Sequence, residues 1–223
     1  MTTDVGGERH DAERAGEVAA GVTPPGGDLF AGLQFDLADA DVTLFPGWCD
    51  VAEADTWFDE LHAAIPWRQD TITLFGRTSL VPRLSAWHGD PGAVYGYSHI
   101  RLQPEPWREP LSTIRARVEA DCDVAFNSVL CNLYRDGRDG VAWHADDEPE
   151  LGPAPVIASL SLGAMRRFQL RRRDDGGRRH DIDLTHGSLL VMRAGTQRHW
   201  LHQIPKTGSD VGPRINLTFR LVA

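Results

Sequence analysis

No run of about eighteen apolar residues, the length a membrane-spanning helix needs, occurs anywhere in the 223-residue chain. The first residues, Met1-Thr-Thr-Asp-Val-Gly-Gly-Glu8, lack the basic and apolar regions of a secretory signal. A cytoplasmic protein with no membrane partner is expected. Cysteine is scarce. Cys49, Cys122 and Cys131 are odd in number and never spaced Cys-x-x-Cys, which argues against a disulfide framework or a thiolate zinc cluster. No repeat of about twenty to fifty residues is present, so solenoids and propellers are excluded. Positive charge is also short: a formal net charge of −9 excludes a protein that coats nucleic acid by bulk electrostatics.

That charge is unevenly spread. Residues 1–28 hold six acids against Arg9 and Arg14, −4 of the total, whereas Arg166–Arg179 holds seven arginines against Asp174 and Asp175. The basic segment is either a solvated hairpin rim or a surface that meets a polyanion. Residues 1–28 are rich in Gly, Ala, Glu and Asp, end on Thr23-Pro-Pro-Gly-Gly27 and show no apolar periodicity, so they are expected to be a disordered leader to a domain over 29–223. Asp50 with Glu53 resembles a capping box. Val51, Ala54, Trp57, Phe58, Leu61 and Ile65 then recur at helical spacing until Pro66. A second helix is predicted from Pro110, with Leu111, Ile114 and Val118 on its apolar side.

From Phe126 onward the pattern becomes β-like. Strands are predicted over 126–134, 141–144, 156–162, 166–172, 179–184, 188–192, 199–203 and 213–221, separated by turn pairs such as Asp136-Gly137 and His186-Gly187. Eight short strands after two helices indicate a mainly β (α+β) fold, a barrel or jelly roll with flanking N-terminal helices.

Two patterns carry chemistry. His144-Ala-Asp146 puts an imidazole and a carboxylate on one face of extended backbone. One more donor would complete the two-histidine, one-carboxylate face that holds iron(II) and leaves positions open. His202 is the first choice for it, with His199 a competitor three residues earlier. In Arg214-Ile-Asn-Leu-Thr-Phe-Arg220 the period of two sends Arg214, Asn216, Thr218 and Arg220 to one face and Ile215, Leu217 and Phe219 to the other. The two guanidiniums would stand roughly 20 Å apart on a straight strand, so a bend must bring them toward one small diacid. Asn132 and Tyr134 share a face of another strand and can donate to carboxylate oxygens.

The chain resembles the AlkB family of oxygenases, in particular the subgroup that repairs alkylated DNA. The resemblance rests on Asn132-Leu-Tyr134, His144-Ala-Asp-Asp-Glu-Pro149, Ile157-Ala-Ser-Leu-Ser-Leu-Gly163, His186-Gly-Ser-Leu-Leu-Val-Met192, Trp200-Leu-His202 and Pro213–Arg220, six motifs in order over about 45–223. It implies a double-stranded β-helix over 126–223 and iron(II) held by the catalytic set His144, Asp146 and His202; His199 stands outside the motif. It implies 2-oxoglutarate as co-substrate, its distal carboxylate on Arg214 with Tyr134, its near end on Arg220 with Asn132, and Asn216 supporting the pocket. It further implies a nucleotide-recognition lid over about 70–100, in which Arg83, Trp87, Tyr95 and Tyr97, with Asp147 beside the metal, would meet an extruded base.

The activity so implied is oxidative demethylation of 1-methyladenine and 3-methylcytosine types of lesion in DNA, consuming dioxygen and 2-oxoglutarate and releasing formaldehyde, by a monomer. The alternatives are a same-fold oxygenase acting on RNA, protein or a small metabolite, and a non-catalytic binding module. Asp146, expected in the barrel mouth, should contribute little to the core, so that Asp146→Ala leaves the chain folded.

Overall fold

The computed structural model describes residues 32–74, 76–97, 100–174 and 178–223. The expected leader over 1–28 and the turn Asp175-Gly-Gly177 lie outside the described residues. The elements run β1 (Leu33–Gln34), β2 (Asp41–Phe45), α1 (Val51–Ala64), β3 (Thr71–Leu74), β4 (Arg77–Leu80), β5 (Leu84–Gly89), β6 (Tyr95–Tyr97), β7 (Ile100–Leu102) and α2 (Leu111–Cys122). Then come β8 (Ser128–Tyr134), β9 (Val141–His144), β10 (Ile157–Gly163), β11 (Arg166–Arg172), β12 (Arg179–Leu184), β13 (Ser188–Arg193), the short α3 (Thr196–His199), β14 (Trp200–Ile204) and β15 (Arg214–Arg220). All eight strands predicted after Phe126 are present, with bounds within two residues.

Two antiparallel sheets face one another. The larger has the order β1-β2-β13-β10-β15-β8-β5 and the smaller β12-β11-β14-β9. This is a jelly roll, its chain passing back and forth between sheets. The central strands of the large sheet are buried on both faces because the helices cover one and the small sheet the other. The alternation on β15 divides accordingly. Ile215, Leu217 and Phe219 join Trp57, Leu61, Ile114 and Val118 in the helix-side core, while Arg214, Asn216, Thr218 and Arg220 line the cavity between the sheets. Phe168, Leu170, Ile182 and Leu190 pack around that cavity as a second core.

The helix signals work as the sequence suggests, with one difference. Asp50 accepts from the Glu53 backbone N–H at 2.9 Å, capping α1. Glu53 does not complete the reciprocal box; its carboxylate pairs with Arg117 at 2.6 Å and ties α1 to α2. Gly163 (φ +88°) ends β10 where a Cβ would sit 2.7 Å from the Phe58 ring. Only glycine suits both the left-handed backbone and the approach of α1.

The expected lid over 70–100 is not one piece. β3–β4 and β6–β7 are two hairpins, and between them β5 is an edge strand of the large sheet, paired with β8 from Leu84↔Leu133 to Gly89↔Ser128. Buried on β5, His88 is 0% exposed and donates from Nδ1 to the Pro106 carbonyl at 2.9 Å. Burial lowers its pKa from 6.5. The unfolded chain therefore takes up a proton below pH 6.5 that the folded chain refuses, and stability falls as pH drops through that value. Urea unfolding at stepped pH should show this loss, and His88→Gln should flatten the slope below pH 6.5.

Candidate active site

β9 and β14 pair at the mouth of the cavity with His144 directly opposite His202. Their ring centroids are 4.2 Å apart. β9 ends at His144, so Asp146 stands in a bend rather than on the strand. Its backbone N–H is held by the Gln197 side-chain oxygen at 3.0 Å, which swings the carboxylate to 3.8 Å from His202 Nε2. One ligand atom from each of His144, Asp146 and His202 lies within 4.8 Å of the other two. His144 donates from Nδ1 to the Ala142 carbonyl at 2.8 Å, which fixes the tautomer and leaves Nε2 as a lone-pair donor. Phe168 stacks on His202 at 5.2 Å and fixes its ring plane.

The electrostatics prepare the same three groups to bind a cation. Burial pushes His202 down to about 3, so it stays neutral with its lone pair available. Burial alone would raise the Asp146 carboxyl, but the Arg220 guanidinium in contact with it holds it below the usual range. Arg220 donates from Nη2 to Asp146 Oδ1, and both side chains are 4% exposed. Two imidazoles and one charged carboxylate on one side of a centre are a donor set for iron(II).

Arg214 supplies the second half of the site. It is 1% exposed, donates from Nη2 to Ser161 Oγ at 2.9 Å and lies 5.2 Å from the Tyr134 ring centroid. Among the described residues its buried Nε and Nη1 have no hydrogen-bond partner. Burial lowers its pKa to about 10, leaving it charged at neutral pH. A buried guanidinium with two unspent donors is an incomplete arrangement that a carboxylate would complete. The enclosing pocket holds about 500 Å³ of empty space, part of it open to solvent, between Arg214 at one end and the His–Asp–His group at the other.

Arg220 contacts Asp146, and Asn132 Oδ1 accepts from Arg83 Nε at 2.9 Å. Asn216 donates to Ser159 Oγ at 2.8 Å and to the Leu160 carbonyl at 3.0 Å, bracing the pocket wall.

Among the candidate base contacts, Arg83 lines the cavity. Trp87 does not. It is 1% exposed, within the inter-sheet core, and donates from Nε1 to the Ala93 carbonyl at 3.1 Å, because β5 is a sheet strand rather than a lid. Asp147 is absent from the cavity lining, and Arg173 takes its carboxylate at 2.5 Å. Tyr95 and Tyr97 lie on β6, with their side chains outside the described part of the structure. The run of arginines also disperses. Arg166 is buried, donating to the carbonyls of Asp139 and Pro205 at 2.8 Å. Arg167 pairs with Asp181 and Asp183, and Arg172 with Asp39 and Asp174.

Sequence reasoning missed Gln197, Phe168 and Ser161. Only Ser161 left a signal, since Ser159 and Ser161 alternate to one face of β10.

Residues 41–220 match the family model described as the 2OG-Fe(II) oxygenase superfamily. The chain is 45% identical over 190 residues to the human alpha-ketoglutarate-dependent dioxygenase alkB homolog 3, a match covering 81% of this chain and 66% of that protein. It thus spans just under two thirds of that relative's length. It is 37% identical over 226 residues to the mouse DNA oxidative demethylase ALKBH2, covering 95% of this chain and 93% of that one. The solved structure of OsALKBH1 superposes with a TM-score of 0.59 over 81% of this chain and 96% of that chain, and at 17% identity the likeness concerns the fold alone. With a jelly roll, a converging His–Asp–His group and an anion-ready arginine in one cavity, the chain belongs to the 2OG-Fe(II) oxygenase superfamily, as a member of its AlkB family.

Proposed function

We propose that this chain is an oxidative demethylase of alkylated bases in DNA, acting on lesions of the 1-methyladenine and 3-methylcytosine type. The observation that carries the reading is the pairing of two half-sites in one pocket, the metal-ready group His144, Asp146 and His202 and the unspent donors of Arg214. Two of the relatives above are named for the same chemistry: one is an alpha-ketoglutarate-dependent dioxygenase and the other a DNA oxidative demethylase.

The residues divide the work. His144, Asp146 and His202 would hold iron(II). Arg214, steadied by Ser161 and Tyr134, takes the distal carboxylate of 2-oxoglutarate. Arg220 keeps Asp146 ionised and oriented, and Gln197 fixes the bend that carries it. Asn132 and Asn216 shape the wall between, and Arg83 stands on Asn132 where the pocket opens. When bound, iron(II) with 2-oxoglutarate and dioxygen supplies the oxidation of a methyl C–H bond, with succinate and carbon dioxide as by-products. The hydroxymethyl group formed on a ring nitrogen then leaves as formaldehyde.

Mass spectrometry of methylated oligonucleotides incubated with iron(II), 2-oxoglutarate and ascorbate tests this reading. Loss of one methyl group per lesion, matched by succinate and absent without oxygen, is the expected result. Retention of the methyl group in DNA, with turnover on RNA, a peptide or a free metabolite instead, would replace the substrate assignment.

A further inference from the structure

The outer face of the small sheet carries an arrangement that the catalytic pocket does not use. Arg167 on β11 faces Asp183 on β12, and Gln169 faces Asp181. These are complementary pairs: Arg167 Nε lies 3.5 Å from Asp183, and Gln169 donates to Asp181 at 2.9 Å. The next outward pair breaks the rule, because Arg171 faces Arg179. Like charges directly opposite on a ladder are destabilising, and among the described residues neither guanidinium has a carboxylate partner. Both instead approach Trp143, Arg171 at 4.4 Å and Arg179 at 5.7 Å from the ring centroid. The indole attracts the two cations and leaves their outward donors to solvent.

Position gives this trio its meaning. Trp143 and His144 are consecutive on β9, the edge strand of the small sheet, so their side chains point to opposite faces. His144 faces the cavity and Trp143 faces out. The cationic, aromatic surface therefore lies back to back with a metal-ligating residue, one strand's thickness from the pocket. Its surroundings do not suit an apolar partner. The large exposed apolar side chains Val51, Leu80, Met165 and Leu221 all lie off the four strands of this sheet.

We propose that Trp143, Arg171 and Arg179 form a phosphate-binding platform for single-stranded nucleic acid flanking the base held in the pocket. Two guanidiniums held over one aromatic ring bridge a phosphodiester, which removes the repulsion between them, and aromatic rings interleaved with cations are what sequence-tolerant strand binding uses. The proposal rests on the nucleic-acid reading above and adds the route by which the strand leaves the pocket, over the outside of β9. Because the chain is net negative, this local pair rather than the whole surface carries the salt-sensitive contact.

The test is fluorescence anisotropy of a labelled single-stranded oligonucleotide bearing one 3-methylcytosine, titrated with the full chain at stepped salt. Losing two phosphate contacts on a single strand should flatten the slope of log K against log salt by about 1.4 in the double variant Arg171→Gln, Arg179→Gln, and by about 0.7 in Arg179→Gln alone. Arg172→Gln, whose charge is already paired, should leave the slope at the wild-type value. An unchanged slope in the double variant overturns the proposal, as does an equal loss in Arg172→Gln. Displacement of the oligonucleotide by a polyglutamate peptide at equal charge would assign the platform to an acidic protein and overturn it too. The same oligonucleotide read for methyl loss separates the two claims. Demethylation with an unchanged slope sinks the platform alone; a flattened slope without any demethylation sinks the demethylase reading alone.

Discussion

Asp146→Asn should reduce methyl release and 2-oxoglutarate consumption together to background, by more than the roughly 100-fold that disturbing a ligand's outer support costs. The amide keeps the shape and one acceptor for Arg220 but removes the anionic ligand. Alanine is the wrong variant for this purpose, contrary to the expectation from sequence. Asp146 is not a loose residue in a barrel mouth. It is 3% exposed and joined to a guanidinium that is 4% exposed. Deleting it removes a buried ion pair and its packing, so Asp146→Ala should lower the unfolding midpoint as well as activity. Urea denaturation of both variants beside the turnover assay tells loss of the ligand from loss of the fold. Equal stability of Asp146→Ala and wild type would contradict the Asp146–Arg220 contact.

Arg214→Met should raise the KM for 2-oxoglutarate about a hundredfold, because two charge-assisted hydrogen bonds from a buried guanidinium are worth about 3 kcal/mol. The same change should leave the ligand-free chain as stable as wild type or more so, since methionine fills the volume without two buried donors in want of partners. The signs therefore oppose. Added 2-oxoglutarate should raise the unfolding temperature of wild type and not of the variant. A variant that 2-oxoglutarate still stabilises would move the anchor elsewhere in the pocket.

Much of this was visible in the sequence where local pattern decides structure. From Phe126 onward, period-two alternation and glycine turns located every strand, and the split of Arg214, Asn216, Thr218 and Arg220 from Ile215, Leu217 and Phe219 is the split between cavity and core. The seven described strands before Phe126 escaped, and for β5 the reason is physical. β5 is buried along its second half on both faces, including Trp87 and His88, so it shows no alternation, and its aromatic residue looked like a lid rather than a core side chain.

What pattern cannot carry is partnership across long separations. Arg220 was visible as a pocket arginine, but its partner Asp146 lies 74 residues away. The basic run Arg166–Arg179 looked like one patch until Asp39 and Asp147 reached it from distant parts of the chain. Gln197 was silent because its value lies in one hydrogen bond to the Asp146 backbone.

The most direct test is an anaerobic iron(II) titration followed by equilibrium dialysis, with and without 2-oxoglutarate. Wild type should retain one iron per chain, more tightly with 2-oxoglutarate present, and His144→Gln, Asp146→Asn and His202→Gln should each lose it while remaining folded. Full retention of iron by any one of these variants would contradict the three-residue site.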